Sequence, residues 1–278
     1  MAGIWNRMRA WKIAAALIAV CLAGLALVAV ALGGLQTSQS ARTIPGRQSG
    51  SATAHCARGS ETVSGGFATP AFDPQGNGPA IFTQTSMRKR TRHWKSTGAN
   101  LGNSDGKLLA FAYCDLHSPG LKVRSHGTTV TGGQTGSVEA KCPKGSEAVS
   151  GGFSQNGAIF TFASRRVNDR TWKVAGYNNR MQDAQLRAFA YCDKHQPNLK
   201  PRAKTSSSIP PDSTGSVSVK CRHGGEARSG GFTGSVDNNA RGAFPFVSRR
   251  KGSSRWKAAA FGNTPGGGPL TVIAYCKR

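Results

Sequence analysis

Cys142-Pro-Lys-Gly-Ser-Glu-Ala-Val-Ser-Gly-Gly-Phe153 is one of three versions of the same stretch. The others begin at Cys56 and Cys221 and share the pattern C-x2-G-x-E-x2-S-G-G-F. A second block follows each: S-x-R-x5-W-K, then A-Y-C. It holds at Ser86/Arg88/Trp94/Lys95/Cys114, Ser164/Arg166/Trp172/Lys173/Cys192 and Ser248/Arg250/Trp256/Lys257/Cys276. The distance from Trp to the closing Cys is always 20 positions, whereas Phe to Ser varies through 19, 11 and 16. Constant blocks with a variable join read as strands joined by a surface loop.

Within the middle copy, alternation of apolar and polar residues predicts strands over 136–141, 147–154, 158–165, 171–177 and 185–193. Glycine is abundant, at 36 residues, and long amphipathic helical patterns are missing after residue 35. The expected class is all-β with three tandem homologous repeats, at 51–116, 117–194 and 195–278. Leu121-Lys-Val-Arg and Leu199-Lys-Pro-Arg read as leading strands of copies two and three, and copy one offers only 41–47. A unit of this size is marginal for a core of its own. Two architectures fit: a β-prism-like arrangement about a pseudo-threefold axis, or three disulfide-stapled β-sandwiches in series.

Residues 13–35 are free of charge, long enough at ~1.5 Å per residue to cross a bilayer core of ~30 Å. Arg7, Arg9 and Lys12 precede them, which places 1–12 in the cytoplasm and the rest outside. This reading makes 13–35 a transmembrane signal-anchor and 36–50 a flexible stalk. Cleavage near Ala31 is the alternative, giving a secreted protein. Cys21 is read as an inert residue of the apolar run.

The six remaining cysteines fall two per copy: Cys56 and Cys114, Cys142 and Cys192, Cys221 and Cys276. The repeat favours closure within each copy, and an exported location is oxidising enough to keep such bonds. No C-x-x-C pair exists, so neither a metal nor any other cofactor is expected.

The combination of C-x2-G, G-G-F and a late Cys, three times over, resembles the vitelline membrane outer layer protein type of β-prism. That resemblance implies three sheet repeats in a secreted structural protein that contacts carbohydrate. The W-K and A-Y-C blocks and the apolar N-terminal run depart from that family. The whole pattern more closely resembles exported repeat proteins of bacteria, and that resemblance implies a location and no activity.

Glu61, Glu147 and Glu226 are the only acids present in every copy, and Arg88, Arg166 and Arg250 recur with them. They read as one structural ion pair per copy, with a ligand site as the alternative. The tryptophans read as core, with the following lysines pointing outward.

The net charge is +25, which attracts polyanions and also serves plain solubility. Candidate polyanion contacts are Arg88, Lys89, Arg90, Arg92 and Lys95, then Arg165, Arg166 and Lys173, then Arg249, Arg250, Lys251 and Lys257, forming one basic ridge per copy. No nucleic-acid fold motif accompanies them, so specific nucleic-acid binding is not expected. No H-E-x-x-H, G-x-S-x-G or phosphate-binding glycine loop occurs, and no residue is assigned to catalysis. The leading expectation is a membrane-anchored, extracytoplasmic, non-catalytic protein that binds an anionic or glycan polymer of the envelope. A structural or protein-interaction module, using loops 68–85, 154–163 and 233–247, is the alternative. A secreted hydrolase ranks last.

Overall fold

The computed structural model describes residues 34–278 except 158, 238, 264 and 265. The apolar run therefore lies outside the described residues, apart from its last two positions. Among the described residues no helix is long and apolar enough to cross a membrane.

Eighteen strands are described, six per copy. Copy one holds β1 (Gln36–Ile44), β2 (Ser49–His55), β3 (Glu61–Ala68), β4 (Ile81–Arg90), β5 (His93–Asn100) and β6 (Gly106–Asp115). Copy two holds β7 (Lys122–Val130), β8 (Thr135–Lys141), β9 (Glu147–Gln155), β10 (Ile159–Asn168), β11 (Thr171–Asn178) and β12 (Ala184–Asp193). Copy three holds β13 (Lys200–Thr205), β14 (Thr214–Lys220), β15 (Glu226–Gly234), β16 (Gly242–Lys251), β17 (Arg255–Asn263) and β18 (Leu270–Lys277). The five strands expected in copy two are all present, each within a few residues of its expected ends.

These strands form three six-stranded sheets, in the orders β1-β6-β3-β16-β17-β14, β2-β5-β4-β9-β12-β7 and β13-β18-β15-β10-β11-β8. Each copy divides into two three-stranded halves, and each half joins a half of a different copy. The joins are short. Ser86 pairs with Phe153, Ser164 with Phe232 and Ser248 with Phe67, each with one further residue pair. Copies one, two and three are thus linked in a closed cycle. The serial-sandwich expectation is corrected here: the two halves of a copy do pack face to face, but no sheet belongs to one copy.

Phe67, Phe153 and Phe232 meet edge to face, with ring centroids 5.9, 5.9 and 6.4 Å apart. One residue from each G-G-F block therefore reaches a common core. Three serines close a second ring. Ser64 donates to the carbonyl of Arg228, Ser229 to that of Val149 and Ser150 to that of Val63, all at 2.5 Å.

The two glycines of each block have separate reasons. A Cβ on Gly65, Gly151 or Gly230 would sit 2.1–2.3 Å from the indole of Trp94, Trp172 or Trp256. A Cβ on Gly66, Gly152 or Gly231 would sit 2.2–2.6 Å from the carbonyl of Ser248, Ser86 or Ser164, on the strand of the adjoining copy. The first glycine admits the tryptophan, and the second lets two copies join edge to edge.

Residues 36–50, expected to be a flexible stalk, include all of β1, paired over its length with β6. Copy one therefore has a leading strand of its own, which starts ahead of the 41–47 stretch and overlaps it. Ile44, Val130 and Ile209 sit at matching places, each against the glycine (Gly50, Gly136, Gly215) of the next strand. The leading strands expected at Leu121-Lys-Val-Arg and Leu199-Lys-Pro-Arg are β7 and β13.

Candidate functional site

The repeated acid and arginine meet inside every copy. Arg88 lies 2.7 Å from Glu61, and Arg250 lies 3.1 Å from Glu226. Arg166 pairs with Glu147 in the same way. Each pair bridges two sheets, because the acid opens β3, β9 or β15 and the arginine lies on β4, β10 or β16.

The carboxylate also captures the start of the following copy. Glu61 accepts the amides of Gly120 and Leu121 at 2.6 and 3.0 Å. Glu147 accepts those of Asn198 and Leu199 at 2.6 and 2.9 Å. Glu226 accepts the amide of Leu35 at 2.6 Å, so the cycle closes on the first copy. The arginines of copies two and three hold the carbonyls of the same leucines, Leu199 and Leu35, both at 2.6 Å. In copy one Nη1 of Arg88 is buried without a hydrogen-bond partner. A buried carboxylate that accepts amide and guanidinium bonds has its charge compensated locally. The arrangement serves as a clasp.

Tyrosine completes it from another copy. The hydroxyls of Tyr191, Tyr275 and Tyr113 accept the backbone amides of Arg88, Arg166 and Arg250 at 2.6–2.7 Å. Burial raises all three phenols, Tyr275 to about 12 and the others further. The same tyrosines pack edge-on or tilted against Trp94, Trp172 and Trp256 at 5.4–5.6 Å. Each indole N–H donates to the serine of its own block, Ser86, Ser164 or Ser248, at 3.0 Å. That contact explains the S-x-R-x5-W spacing: on paired strands the Trp stands opposite the Arg, and the Ser, two residues along, lies diagonal to it within reach of the indole. The tryptophans are almost wholly buried, as expected, with a glycine and a tyrosine as neighbours.

The polyanion candidates divide. Arg88, Arg166 and Arg250 are withdrawn from that set, because the clasp buries them and uses their charge. Lys89, Arg90 and Arg92 are exposed at the turn between β4 and β5, and Lys251 at the turn between β16 and β17. Lys95, Arg165, Lys173, Arg249 and Lys257 are half-buried. Lys173 lies 3.9 Å from Glu139, and Arg249 lies 5.5 Å over the Phe111 ring. Arg249 and Lys257 line a shallow groove of about 450 Å³ with Ala68, Leu109, Val247 and Ala259. The single basic ridge expected per copy is thus split between a clasp, a turn and a sheet face.

Copy three departs from the others at one buried place. Arg228 stands where copies one and two have Val63 and Val149, and it pairs with Asp115 and Glu226. Burial pushes the Asp115 carboxyl up, but bonds from the His117 amide and from Arg228 outweigh it and hold the group below its usual range. Sequence reading missed the roles of Tyr113, Tyr191 and Tyr275 and of Ser64, Ser150 and Ser229. Both sets recur in the blocks, but their partners lie in other copies.

Among the described residues, no group of three His, Cys, Asp or Glu side chains is placed to hold a metal. The cysteines pair as Cys56–Cys114, Cys142–Cys192 and Cys221–Cys276. Each bond ties together the two halves of one copy. No protein-family model matches the chain, and no curated protein matches it.

Proposed function

We propose that the chain is an exported, membrane-anchored, non-catalytic β-prism of pseudo-threefold form, related in architecture to the vitelline membrane outer layer type. In this reading it adheres to an anionic polymer of the cell envelope through its basic exterior. The observation that carries the reading is where the charge goes. Beyond residue 35 the chain has 34 basic and 12 acidic residues, an excess of +22. Each Glu–Arg clasp withdraws one charge of each sign. Forming the core therefore leaves the whole excess to the rest of the molecule. An exterior of one sign raises the local concentration of an oppositely charged polymer and speeds its capture. Three disulfides suggest an oxidising, extracytoplasmic environment. The apolar run is the proposed anchor.

The test is retention of the folded part, residues 34–278 with disulfides intact, on immobilised poly(glycerol phosphate) along a salt gradient. Retention at low salt that falls steeply as salt rises is the expected result, because counterion release dominates such binding. Elution together with neutral agarose controls at low salt would refute the reading.

A further inference from the structure

The edge strands β13 and β14 of copy three border a cleft of about 590 Å³. Arg202, Lys204, Lys220, Arg222 and Arg255 line it, with no acid and no aromatic among the lining residues. Arg202 and Lys204 share one face of β13 by alternation, about 7 Å apart. Lys220 and Arg222 flank Cys221, which is buried in its disulfide, and both are exposed. Arg255 lies opposite Lys220 in the strand register. Two rows of cations thus face a common channel.

The other copies supply an internal comparison. Strand registers place Ser38, Ser40, His55, Ala57 and His93 of copy one at these five positions, and Arg124, His126, Lys141, Pro143 and Thr171 of copy two. Lysine or arginine thus occupies five positions in copy three, two in copy two and none in copy one. Charged side chains on an edge strand also discourage edge-to-edge aggregation. Copy one leaves the same two edges without lysine or arginine at these places, so that purpose does not require the five. The fold does not require them either, because copy one makes the same pairs with serine, alanine and histidine.

We propose that this cleft is the polyanion site, and that it takes an extended, flexible phosphodiester chain without stacking bases. The cation spacing along each strand is in the range of an extended phosphodiester repeat. Recognition of single-stranded nucleic acid would normally add aromatic platforms, which the lining lacks. The inference rests on the polyanion reading above and adds its location and the class of ligand.

The test compares two variants of residues 34–278 with the parent protein. One carries Arg202→Ser, Lys204→Ser, Lys220→His, Arg222→Ala and Arg255→His, the residues of copy one. The other removes as many charges at exposed cations outside the candidate contacts: Arg42→Ser, Arg58→Ser, Lys107→Ser, Lys144→Ser and Arg187→Ser. Thermal midpoints and disulfide maps equal to the parent's confirm folding. Titration with soluble poly(glycerol phosphate) should show at least a tenfold loss for the cleft variant. Its log affinity against log salt should flatten by about 3.5–4.5, since each of the five lost contacts removes roughly 0.7–0.9 from the slope. The control variant should change by less than threefold. Equal losses in the two variants would overturn the site and leave the polyanion reading standing. No binding by the parent protein would overturn both. Tighter binding of single-stranded DNA at equal phosphate concentration would overturn the ligand class. A cleft variant that failed to fold would be replaced by Lys220→His/Arg255→His, with the same comparison read at a proportionally smaller loss.

Discussion

The amide of Leu35 donates to the Glu226 carboxylate at 2.6 Å, and the Leu35 carbonyl accepts from Arg250 at the same distance. This contact joins the leading residue of copy one to copy three. Leu121 and Leu199 occupy the same place in the other two clasps. Closure therefore does not depend on sheet pairing alone, which joins copies one and three through two residue pairs.

Removing the acid from this contact leaves the buried Arg250 guanidinium without its counter-charge and the Leu35 amide without its partner. Glu226→Ala should cost about 3–5 kcal/mol, the usual result of breaking a buried pair from one side. Urea denaturation of residues 34–278 measures it. A loss below about 1 kcal/mol would show that the closing clasp is dispensable.

The glycines separate two kinds of strain. Gly151→Ala places a Cβ 2.3 Å from the Trp172 indole, and overpacking of this kind costs about 1–3 kcal/mol or more. Gly145 has φ of +80° and open space around its Cβ position. Gly145→Ala should cost only about 1 kcal/mol, from the left-handed backbone. Thermal denaturation should rank the two in that order, and near-ultraviolet circular dichroism should change only for Gly151→Ala. The reverse ranking would contradict the packing described.

Burial sets a response to alkali. Tyr113, Tyr191 and Tyr275 have phenol pKa values raised above the ordinary 10.0, Tyr275 to about 12. The unfolded chain releases these protons first as pH rises. The stabilisation they carry is complete below pH 10.0 and is lost as pH climbs through the folded values. Phenolate absorption should therefore show three of the four tyrosines ionising only together with unfolding. Smooth titration of all four in the folded state would contradict their burial.

Each disulfide ties the two halves of one copy, and those halves lie in different sheets. Cys142→Ser/Cys192→Ser should cost about 2–5 kcal/mol. Because the copies share one core, it should shift a single cooperative transition rather than release one copy. Separate melting of copy two, seen by calorimetry, would show that the copies fold independently. A non-reducing peptide map of the parent protein should yield Cys56–Cys114, Cys142–Cys192 and Cys221–Cys276.

The periodic pattern of copy two was enough to place five of its strands, and fixed spacings were enough to pair the cysteines and the Glu with the Arg of each copy. Local alternation and repeat length determine such things, because the partners lie in one block or in matching blocks. The first leading strand was hidden because Gln36-Thr-Ser-Gln-Ser-Ala-Arg-Thr is a polar edge strand, and its pairing with β6 leaves little apolar trace. Arg88, Arg166 and Arg250 sat in runs of cations, so sequence placed them both in ion pairs and on a ridge, and only packing removed them from the ridge.

What tertiary structure alone decided is which copy completes which. Sheets continue across copies through short edge contacts at the second glycine of each block, and a sequence carries no mark of which edge a strand will meet. The copy-three cleft has the same origin. Its cations come from β13, from both sides of Cys221 and from the start of β17, which are far apart in sequence and brought together by strand pairing and a disulfide. The repeated residues determine the strands and the closures within a copy, and the meeting of distant strand edges determines the shared core and the cleft.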